Sequence, residues 1–325
     1  MDERIEKNGN IFANNFAELG MPVIFVNGIE SPVGETYFFN MQNVAQYNKR
    51  YLTSMLEKMS VYHHADISLL ETKVTHFAIF VKNLNNTTLS LTRCMYDCNY
   101  QDIVIGLDNT GELVKVDFKS IPHLLIAGAT GAGKSVLLHN LIVNLLQHYT
   151  KDKLQMVIID PKGTELTEYS DVANTTFIST TDKAIASLKS VERIMDDRYA
   201  RGNHYEHELF VIIDELADLM LTSKYEVEAS IVRIAQKGRA CGIHLIVATQ
   251  RPSCDVVSGL IKANMPYRII LKTASVRDSV VCIDHKGCEK LQVGEAIVKL
   301  GINEKLTKIA WCEPTLKHKL ISKMS

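Results

Sequence analysis

The strongest chemical signal in the chain is an eight-residue glycine loop, Gly128-Ala129-Thr130-Gly131-Ala132-Gly133-Lys134-Ser135. It fits the phosphate-binding pattern G-x-x-x-x-G-K-[ST]. In such a loop, backbone N–H groups turn onto phosphate oxygens, and the dipole of the following helix adds positive potential. We expect Lys134 to reach the β and γ phosphates of ATP, and the Ser135 hydroxyl to hold Mg²⁺.

A pair of carboxylates, Asp214 and Glu215, follows the apolar run Leu209–Ile213. This is the Walker B pattern, in which an apolar strand ends in acidic residues. Asp214 would act on Mg²⁺, either through water or through Ser135, and Glu215 would polarise the attacking water as general base. The alternative is an acidic pair that caps the next helix. The glycine loop upstream favours the catalytic interpretation.

A third polar position is Gln250, which follows the apolar run His244–Ala248 and Thr249. A polar residue at such a strand end lies beside the γ-phosphate in this sheet topology. We therefore predict that Gln250 reports hydrolysis. Pro252 then stops the strand and opens a loop.

These positions require buried strands that end at one edge of a sheet. The apolar run His123–Ala127 precedes the glycine loop, and a helical apolar stretch, Val136–Leu146, follows it. Other apolar runs recur between helical stretches, at Met156–Ile159, Thr176–Ile178, Phe210–Ile213, His244–Val247, Arg268–Leu271 and Ala296–Leu300. Continuous apolar strands indicate a sheet that is covered on both faces. The prediction is an α/β fold with a mainly parallel sheet.

The first third of the chain has a different pattern. Strand-like runs at Val23–Val26 and Phe77–Val81 alternate with a helical segment around Val44–Ser60. This pattern predicts a small α+β domain over residues 1–102, ahead of an ATPase domain over residues 103–325.

The composition limits the classes of protein to which the chain can belong. The 325 residues are 46% hydrophobic and 22% charged, which is typical of a folded, soluble protein. No run approaches the roughly 18 apolar residues of a membrane-spanning helix, and the charged N-terminus lacks a signal-peptide core. Seven cysteines without tight metal spacing fit reduced thiols in the cytoplasm. The net charge of −1 does not decide about nucleic acid, because a local basic strip would suffice.

The motifs together resemble those of the FtsK/SpoIIIE family of hexameric DNA translocases. The matching segments are Ile121–Ser135, Ile159–Gly163, Ile213–Met220, Ala235–Ala240, Gly242–Leu245, Ala248–Pro252 and Gly259–Asn264. The resemblance implies a RecA-like P-loop NTPase core that assembles as a homo-hexameric ring around double-stranded DNA and hydrolyses ATP at subunit interfaces. The first third is similar, more weakly, to the family's α subdomain.

The resemblance also assigns roles to three basic residues. Arg239 matches the family's arginine finger, which reaches into the neighbouring subunit's site; the alternative is a solvated arginine at a helix end. Arg251 and Lys262 fall where the family's pore loops follow the DNA backbone. For Lys262, a plain surface lysine remains an alternative. Phosphate contacts carry no sequence information, so a motor can use them at every step.

The sequence departs from the family pattern in one basic segment. Valine stands at positions 276 and 280, where the family has basic residues. Whether Arg277 replaces the residue lost at Val276 is left open. The sequence also shows neither the winged-helix module nor the membrane-spanning region of chromosomal members, so we expect a plasmid, phage or integrative-element protein.

The leading hypothesis is an ATP-dependent translocase of double-stranded DNA, recruited by a membrane or DNA-processing partner. One alternative is a related ring ATPase that drives protein secretion. Another is a non-catalytic nucleotide-binding assembly protein, although Lys134, Ser135, Asp214, Glu215 and Arg239 are all chemically competent. A nucleotide kinase is disfavoured because no lid or acceptor motif is evident.

Overall fold

The computed structural model describes residues 2–42, 49–73, 75–82, 88–96 and 102–325. They form two compact units. The first consists of residues 1–87 and 107–113, and the second of residues 88–106 and 114–325. No helix in the described ranges is long and apolar enough to cross a membrane.

The first unit is a four-stranded antiparallel sheet covered by two helices. Its elements are α1 (Glu3–Glu18), β1 (Val23–Ser31), β2 (Gly34–Met41), α2 (Lys49–His63), β3 (Ile67–Thr72) and β4 (His76–Lys82), and the strand order is β1-β2-β4-β3. Its core is rich in aromatic rings, including Phe16, Phe39 and Phe77. The predicted helix around residues 44–60 is observed from Lys49 onward, and residues 43–48 lie outside the described ranges.

The remaining elements build the second unit, except that the end of β6 and the first residue of β7 belong to the first. They begin with β5 (Leu89–Ser90), α3 (Leu91–Tyr96), β6 (Ile103–Asp108), β7 (Leu113–Val116), β8 (His123–Ala127), α4 (Lys134–His148), β9 (Leu154–Ile159), β10 (Thr175–Ile178) and α5 (Thr181–Ala200). They continue with β11 (Glu208–Ile213), α6 (Leu216–Lys237), β12 (Ile243–Thr249), α7 (Gly259–Asn264), β13 (Arg268–Leu271), α8 (Val276–Ile283), β14 (Glu295–Leu300), β15 (Asn303–Trp311) and α9 (Pro314–Met324).

These strands form one sheet in the order β10-β9-β11-β12-β8-β13-β14-β15-β6-β7, with β5 paired to β15. The strands from β10 to β13 run parallel, whereas β14 and β15 are antiparallel. Helices α5 and α6 pack on one face of the parallel part. β8 and β12 are buried along their length, and β11 is buried from its second residue onward. Full burial explains why these strands are continuously apolar. The expected α/β class with a mainly parallel sheet is confirmed.

Sheet order aligns the carboxyl ends of the three strands that carry the predicted chemistry. β12 lies between β11 and β8 and runs parallel to both. Thr249, at the end of β12, is in register with Ala127, at the end of β8. The glycine loop, the acidic pair and Gln250 therefore leave the sheet side by side.

Candidate nucleotide-binding site

The glycine loop joins β8 to α4, as the sequence predicted. Gly133, which precedes the first residue of α4, has a φ of 106°, a conformation that L side chains rarely adopt. The loop is anchored to both neighbouring strands. The Gly128 N–H donates to the Thr249 carbonyl at 3.2 Å, and the Ala129 N–H donates to the Lys272 carbonyl at 2.8 Å. The loop is thus held by backbone bonds, and the α4 N-terminus opens onto it.

Lys134 forms a buried ion pair with Asp214. The two side chains are only 3% and 2% exposed. The ammonium donates to the Asp214 carboxylate and also, at 2.7 Å, to the Asp214 carbonyl. Burial raises the pKa of Asp214, and the charge of Lys134 opposes this rise. Two residues that are 80 positions apart therefore meet in one low-dielectric site.

The neighbourhood of Lys134 and Asp214 suits a hard cation. Ser135 supplies a hydroxyl from the first turn of α4, and the Asp214 carboxylate already balances one positive charge. Mg²⁺ prefers oxygen ligands and usually keeps several waters, so one hydroxyl and one carboxylate suffice beside a triphosphate. Within the described ranges, no cluster of three or more His, Cys, Asp or Glu side chains could hold a metal by itself.

Glu215 and Gln250 belong to one hydrogen-bond network. The Thr249 hydroxyl donates to the Glu215 carboxylate at 2.7 Å, and the Gln250 N–H donates to it at 3.0 Å. The same carboxylate accepts the Ala217 N–H at 3.2 Å. Glu215 therefore does cap α6, as in the alternative interpretation, but its bonds to β12 also fix it beside Gln250. The Thr130 hydroxyl, in the glycine loop, donates to the Gln250 side-chain oxygen at 2.8 Å.

One buried acid in this region had no role in the sequence-based prediction. Asp160 follows β9 and is fully buried. Its carboxylate accepts four backbone N–H groups, from Lys162, Gly163, Glu165 and Leu166, at 2.9 to 3.2 Å. Asp160 thereby fixes the backbone of the loop that follows β9, the strand next to β11. The matched segment Ile159–Gly163 was the only signal for it in the sequence.

Arg239 lies at the opposite edge of the sheet. It sits in a 3-10 turn, Gly238–Cys241, immediately before the amino end of β12, whereas the nucleotide loop lies beyond the carboxyl ends. The seven residues of β12 span about 20 Å at ~3.3 Å per residue. Arg239 is exposed, and its Nε donates to the Lys119 carbonyl at 3.2 Å. It borders a cavity of about 500 Å³ that is also lined by Lys119 and Lys237. The arginine is too far away to serve the glycine loop of its own chain.

The two predicted DNA-contacting residues have different surroundings. Arg251 is exposed, directly after Gln250. Lys262, on α7, pairs with Asp284 at 3.1 Å, so it is not a free surface lysine. Val276 and Val280 are 49% and 45% exposed on α8, so the positions that depart from the family pattern lie at the surface.

Strand order, glycine loop and the polar residues at neighbouring strand ends define a RecA-like P-loop NTPase fold. The sequence pattern of the FtsK/SpoIIIE family matches residues 97–204 and 200–254. Over this segment, just under half of the chain, the sequence matches the FtsK/SpoIIIE family, as its motifs indicated.

Similar proteins agree with this assignment. The DNA translocase SftA of Bacillus subtilis (strain 168) is 46% identical over 209 residues, covering 58% of this chain and 22% of SftA. The DNA translocase FtsK of Helicobacter pylori (strain J99) is 43% identical over 210 residues, covering 58% and 25%. The chain thus spans about a quarter of the length of these relatives or less.

Among solved structures, the conjugation coupling protein TcpA of pCW3, in a monomer form with ATPγS, has a TM-score of 0.67 at 22% identity. The alignment covers 97% of this chain and 99% of that chain. At this identity the likeness shows a common fold along nearly the whole chain.

Proposed function

We propose that this chain is an ATP-dependent translocase of double-stranded DNA that works as a homo-hexameric ring. The observation that carries the proposal is the position of Arg239, about 20 Å from the glycine loop across the sheet. An arginine there can offset transition-state charge only at the site of another copy. Such an arginine is worth about 10³-fold or more in related NTPases.

In this proposal, the glycine loop Gly128–Ser135 and Lys134 hold the ATP phosphates. Ser135 and Asp214 would hold Mg²⁺, which when bound supplies charge neutralisation at the phosphates. Glu215 accepts a proton from the attacking water as general base. Gln250 contacts both Glu215 and the glycine loop, through Thr130, so it is placed to respond to the γ-phosphate.

The Lys134 ammonium donates to the Asp214 carboxylate and carbonyl. A bound triphosphate competes for the same ammonium, because charge-assisted bonds to phosphate are strong. Transfer of Lys134 to the phosphates frees the Asp214 carboxylate for the cation.

DNA contact is assigned to Arg251 and Lys262. Arg251 begins the loop that follows Gln250, so this loop is joined directly to the nucleotide site. Lys262 must exchange its Asp284 partner for a DNA phosphate, which makes Arg251 the stronger candidate. Both contacts are independent of sequence.

The proposal has three further parts. The change of sequence pattern near residue 103 supports a division into a 1–102 domain and a 103–325 ATPase domain, and the cysteine usage supports a cytoplasmic location, where ATP and Mg²⁺ are supplied. The third part is recruitment by a membrane or DNA-processing partner. The relatives SftA and FtsK are DNA translocases, which supports the choice of substrate.

ATP turnover with and without long duplex DNA tests the substrate. We expect long duplexes to raise the rate, and Glu215→Gln to lower it about 10²-fold or more while ATP still binds. Short duplexes of equal nucleotide concentration are the matched control. If the ATP turnover rate does not change with DNA but rises with a secretion partner, the secretion ATPase is favoured. If wild type and Glu215→Gln both fail to hydrolyse ATP, the assembly protein is favoured.

Mixed assemblies test the shared site. An Arg239→Ala chain keeps its own glycine loop and Glu215, whereas a Glu215→Gln chain keeps Arg239. Each should be inactive alone, and their mixture should regain turnover, because the second chain donates its arginine to the first. Continued inactivity of the mixture would contradict a role for Arg239 in trans.

A further inference from the structure

His123 is a buried titratable residue that the proposed chemistry does not use. It is the first residue of β8 and is 2% exposed. The Leu245 N–H donates to its Nδ1 at 3.1 Å, so the proton of the neutral ring lies on Nε2. Nε2 faces the backbone of Ala235, which raises the pKa of the ring, but it makes no hydrogen bond of good geometry to any described residue. An imidazole buried in this way requires another explanation.

The ring of His123 lies against the turn that carries Arg239. A Cβ added to Gly238, the first residue of that turn, would lie 3.3 Å from His123 Cε1 and 2.8 Å from the Ile243 carbonyl oxygen. Only glycine therefore fits between the ring and the start of β12. The Ile243 carbonyl is the nearer obstacle, and the His123 ring forms another side of the space that the turn occupies.

A second contact joins the same two segments. Arg239 Nε donates to the carbonyl of Lys119, four residues before His123. The segment that enters β8 thus makes two contacts. The Lys119 carbonyl binds the Arg239 side chain, and the His123 ring lies against Gly238, the first residue of the turn. Beyond these contacts, β8 runs five residues, about 17 Å, to the glycine loop of the same chain.

His123 acts through its shape, because it stays uncharged at neutral pH. Burial lowers its pKa to about 3, the neighbouring His244 acts in the same direction, and the Ala235 backbone opposes part of the fall. The neutral ring, with its proton in a fixed position, packs between β12, which it contacts at Leu245, and the end of α6, which it faces at Ala235.

We propose that His123 is a positioning residue for Arg239: its ring fixes the Gly238–Cys241 turn so that the arginine projects toward the site of a neighbouring copy. This rests on the role in trans proposed for Arg239. It also means that the strand entering the nucleotide loop of one subunit holds, at its other end, the arginine that serves the next subunit.

His123→Asn is the test variant. An asparagine oxygen can still accept the Leu245 N–H, but the ring atoms that face Gly238 are lost. The variant is placed in one chain or the other of the active Arg239→Ala and Glu215→Gln mixture. Placed in the Glu215→Gln chain, which donates the arginine, it should lower turnover about 10-fold or more, since a 1 Å misplacement can cost ~10²-fold. Placed in the Arg239→Ala chain, it should leave turnover within about twofold, because that chain has no arginine for the turn to misplace.

Gly238→Ala displaces the same turn, because the added Cβ meets both the Ile243 carbonyl and the His123 ring. It should give the same donor-only loss and replaces the asparagine variant if that variant does not fold. Gly259→Ala is its matched control, because a Cβ there meets nothing within 4 Å. Equal losses in both placements, or no loss in either, would overturn the positioning role while leaving the trans role of Arg239 intact. An unmodified mixture without turnover would instead contradict the trans role itself, and this inference with it.

Discussion

Replacing Lys134 with methionine removes the ammonium that balances the Asp214 carboxylate while keeping most of the side-chain volume. Both side chains are almost fully buried, at 3% and 2% exposed. Breaking a buried ion pair from one side costs ~3–5 kcal/mol, because an uncompensated charge remains. We expect Lys134→Met to lose stability of this order at pH 8.

The loss of stability in Lys134→Met should depend on pH, because the Asp214 carboxylate becomes neutral when it takes up a proton. Burial already raises its pKa, and Lys134 opposes the rise, so removing Lys134 raises the pKa further. A carboxyl whose folded pKa lies above its unfolded value contributes stability below the unfolded value and loses it as pH rises through the folded one. Relative to wild type, the variant should therefore be less destabilised at pH 5 than at pH 8, and the added loss can grow by at most ~1.4 kcal/mol per pH unit.

Urea unfolding at pH 5 and pH 8, followed by circular dichroism, measures this difference. Adding Asp214→Asn to Lys134→Met should restore most of the stability at pH 8, since no buried charge remains. Lys162→Met is the surface control. Lys162 is 51% exposed and lies 3.7 Å from Asp218, and exposed pairs contribute only ~0–1 kcal/mol. The reasoning fails if Lys134→Met loses the same stability at both pH values and Asp214→Asn restores nothing.

Three further predictions concern other parts of the second unit. Asn140→Ala, which removes the buried amide that donates to the Ile105 and Ala310 carbonyls, should lower the free energy of unfolding by ~1–3 kcal/mol in urea titrations. Asp160→Asn should lower it by ~1.5–3 kcal/mol, because a charged acceptor of four N–H groups is lost, and an unchanged thermal midpoint would contradict this. Arg251→Ala should leave DNA-free ATP turnover intact but reduce the salt dependence of DNA binding by about one phosphate contact; an unchanged slope would remove Arg251 from the interface.

The parts of the fold predicted from sequence are those with strong local signals. The parallel strands β8, β9, β11, β12 and β13 are largely buried, so each appears as an apolar run, and the glycine loop has a fixed spacing. The strands β6, β7 and β15 were not predicted. β15 begins with the polar residues Asn303-Glu304-Lys305, none of which is buried, and is buried only over residues 307–310, so its run is not continuously apolar.

The contacts that assemble the site depend on tertiary structure and leave little local signal. Asn140 is fully buried although asparagine usually faces solvent, because its partners come from strands 35 and 170 residues away. The hydrogen bond from Thr130 to Gln250 spans 120 residues, as does the one from Arg239 to the Lys119 carbonyl. The sequence placed Gln250 at a strand end, but only sheet order brings it to the glycine loop. His123 likewise appeared only as the start of an apolar strand.

Displacement of a third strand from triplex-bearing duplex DNA tests the central claim of ATP-driven movement along DNA most directly. With ATP, the wild-type chain should release the third strand, and Glu215→Gln and Arg239→Ala should not, although both still bind ATP. Release that is equally fast in Glu215→Gln, or no release by a wild-type chain that hydrolyses ATP on the same DNA, would contradict the proposed translocation.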